Sequence, residues 1–115
     1  MPQEIFADGV RSAGDLAGVF EYDGETGYFY LYRTNAVAGA KIADALPVVS
    51  GPIDFMADDI SIRWDRSEMK IALFINSVMW AAFDCSSGQK LGGNYTTNGK
   101  PRIPADFTFV TSSRQ

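Results

Sequence analysis

Two runs of β-forming residues joined by a tight turn constrain this chain more than any other feature. Val19 to Tyr22 leads into Asp23-Gly24-Glu25-Thr26-Gly27, and Tyr28-Phe29-Tyr30-Leu31-Tyr32-Arg33 returns. An Asp-Gly dipeptide followed by another glycine supplies the positive-φ positions of a hairpin connection, and aromatic residues suit a pleated, half-buried surface. Side chains alternate along a strand, so Tyr28, Tyr30 and Tyr32 share one face while Phe29 and Leu31 share the other. Phe29 and Leu31 are the expected core face, because a buried tyrosine must find a partner for its hydroxyl. The same reading sets Phe20 or Tyr22 opposite the tyrosines on the paired strand, as part of an aromatic platform that ends at Arg33.

The remaining pattern is a chain of short strands with one interruption. Ile5-Phe6 reads as a short first strand. Ala36 to Leu46 is alanine-rich and stopped by Pro47, which predicts a helix with Ile42, Ala45, Leu46 and Val49 as its buried stripe. From Asp59 onward a meander is expected. Ile60, Ile62 and Trp64 alternate with Ser61, Arg63 and Asp65. Met69 to Ile75 is an apolar central strand, and Asn76-Ser77 is a two-residue turn. Val78 to Cys85 returns, Ser86-Ser87-Gly88 turns the chain, and Lys90 to Thr96 follows with a bulge or close backbone approach at Gly92-Gly93. Asn98-Gly99 is a further turn and Phe107 to Thr111 a last edge strand. The stretch Ile60 to Leu91 shares its local geometry with one propeller blade, but the chain is too short for the four or so blades a propeller needs. The expected fold is α+β: a mainly antiparallel meander of about six strands with one short helix packed on it.

At 115 residues the chain is about one domain, and residues 1–115 are read as a single unit. Its 46% hydrophobic and 21% charged fractions are those of a folded globular protein. There is no histidine and one cysteine, Cys85, which excludes Ser-His-Asp and Cys-His catalysis, the usual zinc sites and an internal disulfide. Met1-Pro2-Gln3-Glu4 has no secretion-signal pattern and no stretch approaches a membrane span, so a cytoplasmic protein without membrane association is expected. The net charge of −4 speaks against nucleic-acid binding. It is unevenly spread: residues 1–65 carry 11 acids and four bases, a net −7, whereas residues 66–115 carry three acids and six bases, a net +3. Such polarity suits halves that face one another, or a surface used in self-association or partner binding.

Three carboxylate clusters are candidates for acid–base chemistry: Glu21, Asp23 and Glu25; Asp54, Asp58 and Asp59; and Asp65 with Glu68. Two of them lie at turns, where Asp is favoured for its backbone hydrogen bonds. The middle cluster lacks the spacing of a calcium loop, and no metal or cofactor is expected. Cys85 follows a buried-looking strand and reads as packing rather than as a reactive thiol. Asn94-Tyr95-Thr96 matches a glycosylation acceptor, which means little in a chain without a secretion signal. The aromatic platform is the leading site, comprising Tyr22, Tyr28, Tyr30, Tyr32 and Arg33, because tyrosine offers rigid contact area with a polar tip. Arg63, Asp84 and Asn94 are secondary candidates. No catalytic residue is assigned.

The run Val19-Phe20-Glu21-Tyr22-Asp23-Gly24-Glu25-Thr26-Gly27-Tyr28-Phe29-Tyr30 resembles a family of small bacterial proteins known as domain of unknown function 2251. Ala43-Asp44-Ala45-Leu46, Ile62-Arg63-Trp64, Lys70-Ile71-Ala72-Leu73-Phe74-Ile75-Asn76 and Ala82-Phe83-Asp84 also fit that family, so the resemblance spans roughly residues 17–95. Ser77 departs from it, standing where a glycine is expected, as does the segment around Gly92-Gly93-Asn94. The resemblance implies a bacterial origin and a small sheet domain, and it carries no activity across. The residues therefore predict a non-enzymatic protein-binding or regulatory module, acting on a protein partner or as a homodimer. The competing reading is a small-ligand binder or carboxylate-dependent hydrolase with its pocket between helix and sheet.

Overall fold

The computed structural model describes residues 4–35, 41–93, 103, 107, 109 and 110. The described residues form eight strands: β1 (Ile5–Val10), β2 (Leu16–Tyr22), β3 (Thr26–Arg33), β4 (Ile42–Ser50), β5 (Ile60–Trp64), β6 (Lys70–Ile75), β7 (Val78–Asp84) and β8 (Gln89–Gly92). They form two four-stranded antiparallel sheets, β1-β2-β3-β4 and β5-β6-β7-β8, each a simple up-and-down meander. The one helical element among the described residues is a 3-10 turn at Ala57–Asp59 between the sheets. No helix among the described residues is long and apolar enough to cross a membrane.

The expected α+β class is therefore corrected to an all-β one. Of the expected helix Ala36 to Leu46, residues Ile42 to Leu46 lie in β4, paired along β3; Lys41 precedes the strand, and 36–40 lie outside the described residues. Alanine's helical preference is a weak prior, and pairing with β3 along the strand, even with two register shifts, outweighs it. Pro47 stops nothing. It sits within β4, an edge strand of the first sheet, where proline is tolerated. Its partner is Tyr28, and the register shift beside that pair, from Gly27↔Val49 to Tyr28↔Pro47, leaves Val48 as an extra residue.

Other expectations hold. Asn76 and Ser77 have φ of 52° and 67°, the paired left-handed geometry of a tight hairpin turn between Ile75 and Val78. Met69–Ile75 supplies a central strand, β6, flanked by β5 and β7. Gly93 is a close backbone approach: with φ of +98°, a Cβ there would stand 2.6 Å from the carbonyl oxygen of Pro47. The expected last strand falls largely outside the described residues, and its described members Phe107, Phe109 and Val110 are not in a strand.

The two sheets face each other across one core. Phe20, Phe29, Leu46 and Val48 from the first sheet pack with Ile71, Leu73, Ile75 and Phe83 from the second. Phe29 and Phe83 stack with ring centroids 5.0 Å apart. The closest approach is at Gly9 and Gly18, which are cross-strand partners on β1 and β2. A Cβ on Gly9 would lie 2.7 Å from the carbonyl oxygen of Ile62, and one on Gly18 would lie 2.4 Å from Cδ1 of Ile71. Trp64 seals this contact by donating its indole N–H to the Gly9 carbonyl at 3.1 Å. Arg11 lies over the same indole, 5.5 Å from its centroid, and donates to the Glu68 carbonyl at 2.8 Å, tying the β1–β2 turn to the β5–β6 turn.

The outer faces differ. On the second sheet, Ala72, Ala82 and Leu91 are buried beneath Ile103, Phe107 and Phe109, with Phe109 edge-on to Phe74 at 5.7 Å. Among the described residues, no segment lies over the outer face of the first sheet in this way.

Two substitutions test this account. Gly9→Ala places a methyl against backbone that cannot swing away, and urea unfolding should show a loss of about 1–3 kcal/mol. Ser77→Gly relieves a left-handed residue, and the same assay should show a gain of about 0.5–1 kcal/mol with an unchanged denaturant slope.

Candidate functional site

The outer face of the first sheet is a grid set by strand register. The first row across β1 to β4 is Phe6, Glu21, Tyr28 and Pro47; the second is Asp8, Val19, Tyr30 and Ala45; the third is Val10, Ala17, Tyr32 and Ile42. Several large apolar residues on it face solvent: Phe6 is 61% exposed, Val10 and Ile42 are each 52% exposed, and Tyr28 is 38% exposed. Tyr28 and Tyr30 stack nearly parallel, with centroids 5.9 Å apart and planes 11° from each other. Lys41 lies over the Tyr32 ring at 5.9 Å.

Two hollows divide this face. One, of about 590 Å³, is lined by Glu4, Phe6, Glu21, Asp23, Tyr28 and Tyr30, among others. The second, of about 390 Å³, lies toward Val10, Ala17, Val19, Tyr32 and Ile42 and is the more apolar. Tyr30 borders both. Partial burial, reinforced by the negative charge of Glu21, holds the Tyr30 phenol above its ordinary ionisation range.

The structure separates the members of the expected platform. Tyr28, Tyr30 and Tyr32 do share a face, and the helix expected to pack on the sheet is a strand beside them. Tyr22 is elsewhere: it is 3% exposed, points into the core and donates its hydroxyl to the Gly51 carbonyl at 2.7 Å. Phe20 is fully buried with it. The reason is register, because Thr26 joins β3 and Tyr22 pairs with Gly27, so Glu21 and Val19 stand opposite the tyrosines. Arg33 has the strand parity of Phe29 and Leu31 and so belongs to the opposite face from the tyrosines.

Arg63 is exposed on β5 and lines a small hollow of about 180 Å³ with Ser61, Phe74 and Ser77 on the second sheet. Asp84 ends β7, where it accepts from the Ser86 N–H at 3.0 Å and hydroxyl at 2.6 Å, which holds its carboxyl below the usual range. Asn94 lies outside the described residues. The residues that sequence reasoning missed are Phe6, Asp8, Val10, Val19, Glu21 and Ile42. Alternation sets Glu21 on the opposite face of β2 from Phe20 and Tyr22, but its place beside the tyrosines, like the contributions of β1 and β4, needed the pairing.

One carboxylate of each cluster is spent on a turn. Asp23 accepts from the Glu25 and Thr26 N–H groups at 2.9 and 2.8 Å. Asp65 is 7% exposed and accepts from the Ser67 hydroxyl and from the Met69 and Lys70 N–H groups. Asp59 accepts from the Met56 N–H at 2.9 Å. Among the described residues no group of three or more acidic or cysteine side chains is placed to hold a metal ion. Cys85 is half-buried, and burial pushes its thiol up, away from the reactive thiolate. The cleft between helix and sheet that a hydrolase reading required has no helix to form it among the described residues.

The comparison with known families gives a match over residues 1–107 to "Uncharacterized protein conserved in bacteria (DUF2251)". The chain belongs to this bacterial family. Comparison with curated proteins and with solved structures gave no match. The family match extends through the whole of both sheets, so the tyrosine face lies within the shared domain.

The electrostatics of this face are open to measurement. In a carbon-13 titration of ring-labelled tyrosine, Tyr30 should ionise above the ordinary phenol value. Glu21→Gln should bring it part of the way down, since burial persists after the charge is removed. An unchanged midpoint in the variant would show that Glu21 does not act on this ring.

Proposed function

We propose that this protein is a non-enzymatic binding module whose docking face is the outer face of the first sheet. The observation that carries this reading is the asymmetry of the two outer faces. The second sheet's apolar surface is covered by Ile103, Phe107 and Phe109, whereas Phe6, Val10, Tyr28 and Ile42 face solvent on the first. A contiguous exposed face of aromatic and aliphatic side chains with polar tips is typical of a protein–protein contact. Tyrosine adds contact area at little entropic cost, which makes Tyr28, Tyr30 and Tyr32 its expected anchors.

The sign of the face bears on which protein docks. Face-to-face pairing of two copies would bring Glu21 and Asp8 of each toward the other, and like charges held together oppose association. A different protein is therefore favoured over a homodimer through this surface. Nucleic acid and anionic lipid are disfavoured by the same acidic groups.

Site-specific photo-crosslinking tests the reading. A photoreactive phenylalanine analogue replaces Tyr28 in one variant and Ser87, an exposed turn residue, in another, in the producing bacterium. The expected result is a discrete protein adduct from the Tyr28 position that is missing from the Ser87 position. No adduct at either position, or the same adducts at both, would overturn the docking face.

A further inference from the structure

We propose that the segment docking on this face is a cationic, extended stretch of a partner protein that carries an arginine and, four residues away, an apolar side chain. The inference rests on the docking reading above and adds the chemistry of the partner.

The cation follows from charge. The three rows hold two carboxylates, Glu21 and Asp8, and no basic side chain. Among the described residues neither carboxylate makes a hydrogen bond or ion pair within the chain. Lys41 stands at the far corner against Tyr32, so it does not neutralise the Glu21 end. Glu4 and Asp23 add further negative charge around the hollow that contains Glu21. A partner that covers this surface without supplying a cation would strip water from unpaired carboxylates, which is costly.

Arginine follows from the arrangement of the aromatic groups. Glu21 is the direct cross-strand partner of Tyr28, whose ring stacks on Tyr30. A carboxylate beside a tyrosine ring suits a guanidinium, which binds carboxylate through two parallel N–H groups and stacks flat on an aromatic face. The hollow of about 590 Å³ leaves room for such a side chain.

The spacing follows from the sheet. The row of Glu21 and Tyr28 and the row of Val10, Ala17, Tyr32 and Ile42 are separated by four strand residues, or about 13 Å. An extended partner segment covers the same length in four residues and presents alternate side chains to one side. With arginine at Glu21 and Tyr28, an aliphatic side chain four residues away reaches the apolar hollow of about 390 Å³.

The test is a nitrogen-15 NMR titration of the full chain with the blocked synthetic peptide Gly-Arg-Ser-Gly-Ser-Leu-Gly. Saturable shifts are expected in β1, β2 and β3 residues of the outer face. Glu21→Gln should weaken binding roughly tenfold, the weight of one charge-assisted contact. Asp54→Asn, an equal charge change at an exposed site elsewhere, should weaken it less than about twofold. Exchanging the peptide's arginine for glutamine, or its leucine for serine, should each weaken binding.

Equal loss in both protein variants would show general attraction to an acidic chain and overturn the proposal. So would a glutamine peptide that binds as well, spermidine that binds the same face as tightly, or no saturable shift at about 5 mM peptide. Preserved chemical-shift dispersion in Glu21→Gln shows that the variant is folded. The crosslinking experiment separates the two readings: a Tyr28-position adduct on a segment without arginine overturns the partner chemistry and leaves the docking face intact.

Discussion

Two strands from different sheets meet backbone to backbone at Gly9 and Ile62, and the rest of the architecture depends on that contact. A side chain at Gly9 or Gly18 would hold the sheets apart, and the packing of Phe20 and Phe29 against Ile71 and Phe83 needs them close. The indole of Trp64 reaches the Gly9 carbonyl because this corner is pinched, which satisfies two half-buried polar groups. The Arg11 guanidinium then joins the two turns beyond it, and at the opposite edge Lys90 on β8 meets Asp44 on β4 at 3.2 Å. The acidic first sheet and the more basic second half of the chain thus touch through a charged pair at one edge and through glycine at the other.

The inner face of the first sheet is spent on this packing, and its outer face is left for other uses. The second sheet buries its inner face against the first sheet and the Ala72, Ala82 and Leu91 part of its outer face beneath Phe107 and Phe109. Small residues at Ala72 and Ala82 make the second burial possible, since they leave room for large rings to lie on the sheet. The first sheet has the opposite distribution on its outside, with tyrosines in β3 and Phe6 and Val10 on β1. Large rings project from that surface and border the two hollows on it.

Much of this was legible in local sequence. The Asp23-Gly24 hairpin, the Asn76-Ser77 turn, the Ile60 to Asp84 meander and the core role of Phe29 follow from alternation and turn chemistry, which act over a few residues. Ala36 to Leu46 reads as a helix because alanine content and a following proline are local helix signals, yet Ile42 to Leu46 belong to β4. The strand there is held by β3, a partner that no local window contains. Tyr22 was misplaced by a smaller effect: the loop is shorter than its glycines suggest, Thr26 belongs to the strand, and the cross-strand neighbours of the tyrosines shift by one. With a period of two, one residue of register exchanges core for surface.

The sequence by itself determined most of the places where the chain turns, that Ile60, Ile62 and Trp64 share one side of their strand, and that three tyrosines share one side of β3. It also determined the membership of a bacterial family, through motifs spread along the hairpin and the meander. Only the tertiary structure decided that there are two sheets, that Gly9 and Gly18 lie at their closest approach, and that Glu21 and Asp8 join the tyrosine face. It also decided that Phe6, Val10, Tyr28 and Ile42 on this face stand exposed, while Ala72, Ala82 and Leu91 on the second sheet lie under Phe107 and Phe109. The physical reason is range. Turns and alternation are set by neighbouring residues, but pairing, register and coverage are set by contacts between segments far apart in the chain, and a site that spans four strands exists only once they are paired.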